Sequence, residues 1–229
     1  MKHYRIDPAL VTLEEFRKLI AGRKMLPSRV ALLEQTKERF DSLKNSGIQD
    51  LGQLNRALAT RSKIGDLSQK TGLPVTYLIL LKREAGSYLA KPFPLSDFPG
   101  IPYEYAELLK SRGIRHTGDF FEQLQSEQQR QSMAAGTGIP VYRLGELLSL
   151  CDLSRITGVG GVFARILFEA EIRSAETFAE MDIRATLSAC KKVMENQGYP
   201  AGKLGEEDIR YSQHYARVVV NCDLQNDKR

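Results

Sequence analysis

The chain repeats itself, and no other feature constrains its fold as much. The block Thr71-Gly72-Leu73-Pro74-Val75-Thr76-Tyr77-Leu78-Ile79-Leu80-Leu81 returns 66 residues later as Thr137-Gly138-Ile139-Pro140-Val141-Tyr142-Arg143-Leu144-Gly145-Glu146-Leu147, with six of eleven positions identical. The same offset carries Leu43-Lys44-Asn45-Ser46-Gly47-Ile48 onto Leu109-Lys110-Ser111-Arg112-Gly113-Ile114. Two blocks in one register point to a duplicated supersecondary unit, because self-similarity at a fixed spacing marks chains built by stacking like modules. A third, shortened echo follows. Thr157-Gly158-Val159-Gly160-Gly161-Val162-Phe163-Ala164-Arg165 aligns with Pro99-Gly100-Ile101-Pro102-Tyr103-Glu104-Tyr105-Ala106-Glu107 at a spacing of 58, and Glu171-Ile172 keeps that spacing from Gly113-Ile114. The change from 66 to 58 places an eight-residue insertion between Leu81 and Gly100. The stretch Ala85 to Pro94, with two prolines, fits it and is the best internal boundary.

The punctuation between apolar runs is that of helices. Thr12-Leu13-Glu14-Glu15 reads as a capping box, in which hydroxyl and carboxylate each take the other residue's amide. That helix runs to about Gly22. Pro27 suits the first turn of a longer helix, where its missing N–H costs nothing, and Gly47 ends it as a left-handed residue. Further helices begin after Asp50 and after Thr60, the second ending at Gly72, and Pro74-Val75 opens the next. Downstream, Thr117 caps a helix through Phe120 and Phe121, Ser126 caps one reaching Ala135, and Gly138-Ile139-Pro140 restarts the chain as before. Val218-Val219-Val220 is β-prone, but it follows Ile209, Ser212, Tyr215 and Ala216 at helical spacing and reads as helix. Tyr199-Pro200-Ala201-Gly202 sets off a last helix, about Glu206 to Asn221, followed by a polar tail.

Composition narrows the class without choosing a function. With 229 residues, 42% hydrophobic and 27% charged, the chain has the make-up of a soluble globular protein of one large or two small domains. Its longest apolar stretch, Val75 to Leu81, is too short to span a bilayer. The start, Met1-Lys2-His3-Tyr4-Arg5-Ile6-Asp7, lacks the apolar core of a signal peptide, so a cytoplasmic protein is expected. Cys151, Cys190 and Cys222 are odd in number and widely spaced, which favours free buried thiols over a disulfide framework or a zinc site. The net charge of +5 is unevenly placed: residues 1–65 hold 13 Lys/Arg against 7 Asp/Glu, residues 66–150 hold 9 against 9, and residues 151–229 hold 11 against 12. Such a basic N-terminal quarter fits an anionic partner or a solvated basic face.

Two glycine turns could carry function. Asp97-Phe98-Pro99-Gly100-Ile101-Pro102-Tyr103-Glu104-Tyr105-Ala106 and Ser154-Arg155-Ile156-Thr157-Gly158-Val159-Gly160-Gly161-Val162-Phe163-Ala164-Arg165 resemble the helix-hairpin-helix motif, a hydrophobic-x-Gly-hydrophobic-Gly turn between two short helices. Glycines there permit close approach of a phosphate, and the free amides of the second helix can hold it without reading bases. Taken whole, roughly residues 30–195 are similar to the helix-hairpin-helix-like domain of unknown function 4332, through Gly100-Ile101, Gly158-Val159, Ala106, Ala164, Gly47-Ile48, Gly113-Ile114 and the Thr-Gly-hydrophobic-Pro blocks. That resemblance implies a compact all-helical array and brings no established activity.

Departures cut against phosphate binding at some turns. Pro102 stands where the second turn glycine would be and removes an amide; Glu104 adds a carboxylate at the same mouth. In the first unit Glu34-Gln35-Thr36 has no glycine, so that hairpin is expected to be lost or straightened. A helix-turn-helix reading of Leu67 to Leu81, and of Met133 to Leu147, fails on its recognition helix. Val75, Tyr77, Leu78, Ile79, Leu80 and Leu81 are apolar nearly all round, which marks a buried helix rather than one offered to base edges. Enzyme readings have less support. His3, His116 and His214 have no partner at metal-ligand spacing, and Gly158-Val159-Gly160-Gly161 lacks the Lys-Ser/Thr of a phosphate-binding loop.

The expectation is therefore an all-α fold of tandem helix-hairpin-helix-like repeats with flanking N- and C-terminal helices. Its parts are an N-terminal helical extension (1–26), a first repeat (27–87), a Pro-containing connecting loop (88–97), second and partial third repeats (98–198), and a C-terminal helix with polar tail (199–229). The leading functional expectation is a non-enzymatic module touching DNA or RNA backbone through Gly158, Gly160, Gly161, Arg155, Arg165, Gly100, Lys110, Arg112 and Arg115. The alternative is a protein-protein interaction scaffold whose hairpins serve packing alone. No catalytic residue, metal, cofactor, small-molecule substrate or membrane partner is expected. Convergence of the five cations beside the Gly158 turn favours nucleic acid; a turn plugged by neighbouring side chains favours the scaffold.

Overall fold

The computed structural model describes residues 2–25, 27–199 and 204–228. Over these the chain is all-α: thirteen α-helices and three short 3-10 helices, with no strand beyond an isolated antiparallel bridge between Thr12 and Asp50. No helix among the described residues is long and apolar enough to cross a membrane. The chain divides into an N-terminal unit, Ile6–Leu89, and a C-terminal unit that begins at Ala90 and takes in the residues up to Arg5.

The N-terminal unit holds α1 (Leu13–Ala21), α2 (Thr36–Asn45), α3 (Leu51–Ala57), α4 (Arg61–Thr71) and α5 (Val75–Gly86), with 3-10 helices at Pro8–Leu10 and Pro27–Leu32. Its helix starts follow from local chemistry. The Glu15 amide donates to Thr12 Oγ1 at 3.1 Å and the Thr12 amide to Glu15 Oε2 at 2.8 Å, completing the capping box. Asp50 and Thr60 take the Gln53 and Lys63 amides at the starts of α3 and α4. Gly72, at φ 73°, ends α4, and Pro74 precedes α5, which buries Tyr77, Leu78, Leu81 and Ala85.

One expected element differs. The long helix from Pro27 to Gly47 is broken into the 3-10 helix and α2, because Gln35 adopts a left-handed φ of 45°. The carbonyls freed by the break are taken up locally, by Arg39 Nη1 on Ala31 at 3.1 Å and by Thr36 Oγ1 on Leu33 at 2.7 Å. Glu34-Gln35-Thr36, where the hairpin is expected to be lost or straightened, thus holds a left-handed residue, Gln35, one position beyond the place of Gly100. Glu84 of α5 is fully buried and held by Arg23 and Arg29, the latter at 2.5 Å. This ties the Pro27–Leu32 segment to α5.

The C-terminal unit holds α6 (Tyr103–Ser111), α7 (Thr117–Gln123), α8 (Glu127–Thr137), α9 (Val141–Ser154), α10 (Gly161–Glu169), α11 (Ala175–Glu180), α12 (Ile183–Gln197) and α13 (Glu206–Asn226), with a 3-10 helix at Leu95–Asp97. Ser126 caps α8, and Gly138 ends it at φ 76° with the local geometry of Gly72. Gly47, Gly113 and Glu171 all sit at positive φ. After each, an isoleucine amide closes back on a leucine: Ile48 on Leu43, Ile114 on Leu109 and Ile172 on Leu167, at 3.3, 3.0 and 2.9 Å. Glu171 adopts this conformation without glycine's freedom, at a cost of about 1 kcal/mol.

The N-cap of α7 is His116, whose Nδ1 accepts the Asp119 amide at 3.1 Å, rather than Thr117. Thr117 is buried one residue further on, bonded in both directions to Phe93 of the Pro-containing segment. The longest helix, α13, includes Val218-Val219-Val220 and extends past Asn221 to Asn226. It buries Ile209, Tyr215, Ala216 and Val219, and the helix packs on α11 and α12. The break expected at Pro200-Ala201-Gly202 lies outside the described residues.

Candidate functional site

The Gly158 turn enters α10 with the local features that hairpin chemistry asks for. Gly158 is at φ 92°, the Val159 amide closes on Ile156 at 3.0 Å, and Gly160 precedes the helix with no side-chain cap. Its glycines face other parts of the chain, however. A Cβ on Gly158 would lie 2.6 Å from Ser212 Oγ on α13, and one on Gly161 would lie 2.5 Å from the Asp97 carbonyl oxygen. Only Gly160 of the three has nothing within 4 Å of that position. Close approach here therefore serves α13 and the turn preceding Gly100.

The two arginines assigned to this site are interior side chains. Arg165 is 3% exposed. Its Nε donates to the Pro99 carbonyl at 2.7 Å, and its Nη1 meets Glu146 Oε1 at 2.5 Å and Glu169 Oε1 at 3.3 Å. The guanidinium lies 3.6 Å from where a Gly100 Cβ would stand, so the two glycine turns meet through this one side chain. Arg143 adds a second cation on Glu146, at 2.7 Å.

Arg155 is 2% exposed, with Nη1 on Asp152 at 3.1 Å, Nη2 on Asp223 of α13 at 2.6 Å, and its guanidinium 4.6 Å from the Phe121 ring centroid. The other Asp152 oxygen accepts the Ala175 amide at the start of α11, at 2.7 Å. Burial pushes the Asp223 carboxyl above its usual range against the opposing pull of Arg155. Burial likewise holds the neighbouring Cys151 thiol well above its ordinary value, with the Asp152 charge adding to the effect. This network joins α9, α11 and α13.

The remaining cations are exposed and lie elsewhere. Lys110 pairs with Glu107 at 3.2 Å, Arg112 donates to the Gly136 carbonyl at the end of α8, and Arg115 is exposed in the turn before α7. Arg112 edges a shallow groove of about 450 Å³ with Gln123, Gln128, Gln129, Ser132 and Met133. The cations thus fall into an interior pair and a separate surface group, and they do not gather around Gly158. Glu104 is exposed in the first turn of α6, and Pro102 is its N-cap. Glu146, Asp152 and Asp223, the carboxylates that hold the arginines, were absent from the sequence-level site. Arg143 and Glu146 stand three apart on one helix, but nothing local signals the pairing of Arg155 with a residue 68 positions away. Among the described residues, no group of three or more His, Cys, Asp or Glu is placed to hold a metal ion.

Fold and turn together define an all-helical array of short helices joined by left-handed turns and locked by interior ion pairs. Residues 99–198 match the family model described as Domain of unknown function (DUF4332), and the chain is similar to that family over this stretch. The match takes in both glycine turns and begins beyond the N-terminal unit, a narrower span than the 30–195 that the sequence suggests. No curated protein and no solved structure matches the chain.

Proposed function

We propose that this protein is a non-enzymatic interaction scaffold whose helix-hairpin-helix-like turns serve packing and whose outer helix faces meet another protein. One observation carries the reading: the groups a phosphate grip would use are engaged within the chain. Arg165 and Arg155 are buried on carboxylates, and Gly158 and Gly161 abut Ser212 and Asp97. Bringing an anion to Arg155 would leave Asp223 buried and unpaired, which is the costly arrangement, and bringing one to Arg165 would take from Glu146 one of its two cations. A cytoplasmic setting accompanies the reading, since Cys151 and Cys190 are buried thiols, a state suited to a reducing compartment.

A second reading, sequence-independent contact with DNA or RNA phosphates, draws on the uncapped start of α10 and the open space at Gly160. Binding of labelled duplex DNA, single-stranded DNA and RNA, measured by anisotropy as ionic strength is varied, separates the two. The scaffold reading expects no salt-sensitive binding to any of them. Affinity that falls steeply with added salt would overturn it in favour of the second.

A further inference from the structure

The geometry points to a docking surface on the N-terminal unit for an acidic, amphipathic segment of a partner protein; this rests on the scaffold reading above. It lies where the turn between α3 and α4 meets α5, at Arg56, Arg61, Lys63, Lys82, Val75 and Ile79.

Three of the four cations, Arg56, Arg61 and Lys63, stand within eight residues, and residues 51–65 contain no carboxylate. Two lysine side chains reach the turn. Lys63 Nζ donates to the Arg56 carbonyl at 3.4 Å, and Lys82 Nζ reaches from α5 to the Ala59 carbonyl at 2.6 Å. Arg56, Arg61 and Lys63 are exposed, and none of the four forms an ion pair among the described residues. Their placement also opposes a local rule. Arg61 and Lys63 occupy the first turn of α4, which has no acidic residue, so cations sit against the positive end of the helix dipole. Lys63 is compensated by the Arg56 carbonyl at the end of α3, whereas Arg61 makes no side-chain bond among the described residues; a breach left uncompensated is where a protein has use for the group outside itself.

The fold does not ask for these charges. At the offset of 66 that matches the caps Thr60 and Ser126, the places of Arg56, Arg61, Lys63 and Lys82 hold Glu122, Glu127, Gln129 and Leu148. Both helices, α4 and α8, form with a hydroxyl N-cap and the same left-handed glycine end, and α8 alone completes the capping box, through Gln129 at the place of Lys63. The positive charge is therefore particular to this surface.

Chemistry beside the cations selects the partner. Val75 and Ile79 are 46% and 37% exposed, and with Lys82 they stand at i, i+4 and i+7 on α5, one face of a helix. An apolar stripe running into a cationic turn suits a helix that carries Leu or Ile on one face and Glu or Asp beside it. A phosphate backbone would use the cations and leave the stripe idle. For a bilayer, two aliphatic side chains bury too little area to hold the surface.

The test is fluorescence anisotropy of the full-length protein with a synthetic helical peptide carrying Leu at i, i+4 and i+7 and Glu on the flanking positions. Its companions are a scrambled peptide of the same composition, duplex DNA, and vesicles of phosphatidylserine and phosphatidylcholine. The amphipathic peptide should bind and weaken severalfold as salt screens the pairing. Arg61→Glu with Lys63→Glu should cost roughly tenfold or more in affinity, and Ile79→Ser several-fold. Folding is controlled within the same set, because Arg61→Glu places the residue already present at position 127 and favours the α4 dipole. That variant should melt no lower than the wild type while it binds less well. Equal binding of the scrambled peptide, indifference to charge reversal, or tighter binding to vesicles would overturn the inference. Absence of binding to peptide and nucleic acid alike overturns the docking surface and leaves the scaffold reading standing. Salt-sensitive duplex binding that is lost in the charge-reversal variant overturns both.

Discussion

Replacing Arg155 with methionine separates an interior arginine from a ligand-binding one. The guanidinium lies between Asp152 and Asp223 and packs on Phe121. Methionine keeps much of the packing volume and removes the charge, leaving two carboxylates in a buried site. Breaking a buried pair in this way costs about 3–5 kcal/mol. For a protein of this size each kcal/mol lowers Tm by about 2–4 °C, so a fall of roughly 6–20 °C is expected in a thermal scan at neutral pH. The loss should depend on pH with a definite sign. Asp223 already has a folded-state pKa above its ordinary value because of burial, and removing Arg155 raises it further. A raised folded pKa contributes stability that is present below the unfolded value and lost as pH rises through the folded one. Arg155→Met should therefore recover part of its deficit as pH falls from neutral toward the ordinary carboxylate range. Adding Asp223→Leu should restore part of the stability at neutral pH, since it leaves one buried carboxylate without its cation in place of two, and that one, Asp152, keeps its bond to the Ala175 amide. A single variant that melts within about 2 °C of the wild type, or a double variant no better than the single, would refute the reasoning.

Two further outcomes follow from the turns and the thiols. Gly161→Ala pushes a Cβ to 2.5 Å from the Asp97 carbonyl oxygen, a backbone atom that cannot swing aside, and should cost about 1–3 kcal/mol in urea unfolding. Gly160→Asp meets open space and supplies a capping carboxylate, so it should leave stability unchanged or raise it by a few tenths of a kcal/mol. A reversed order of the two would overturn the packing assigned to this turn. Cys190, with its pKa pushed up to about 11 by burial, and the buried Cys151 should react slowly with a disulfide reagent near neutral pH in the folded protein and promptly in urea. Fast labelling of the native state would contradict their burial.

Signals carried by neighbouring residues were legible in the sequence. The Thr12 capping box, the left-handed ends at Gly72 and Gly138, and the helix starts after Pro74 and Pro140 each depend on a few consecutive residues. The structure forms them as read. Where two local signals competed, the sequence misled. Thr117 is a good cap by type, but His116 takes that role because Thr117 is bonded to Phe93 from another segment. Gln35 breaks the expected long helix with a left-handed residue that its side chain does not advertise. The candidate site was least legible. Arginine beside a glycine turn looks the same in sequence whether it faces solvent or a buried carboxylate. The deciding partners, Asp223 for Arg155 and Glu146 for Arg165, come from other helices.

The central claim is that the turn entering α10 packs the chain and does not hold phosphate. It is tested most directly by titrating wild-type protein and Gly160→Asp against labelled duplex and single-stranded DNA at low ionic strength. The substitution sets a carboxylate at the one open position of the turn, where it would repel a phosphate without disturbing the fold. The account predicts that the two proteins behave alike and that neither shows salt-sensitive binding. Binding by the wild type that falls steeply with salt and is lost in Gly160→Asp would contradict it.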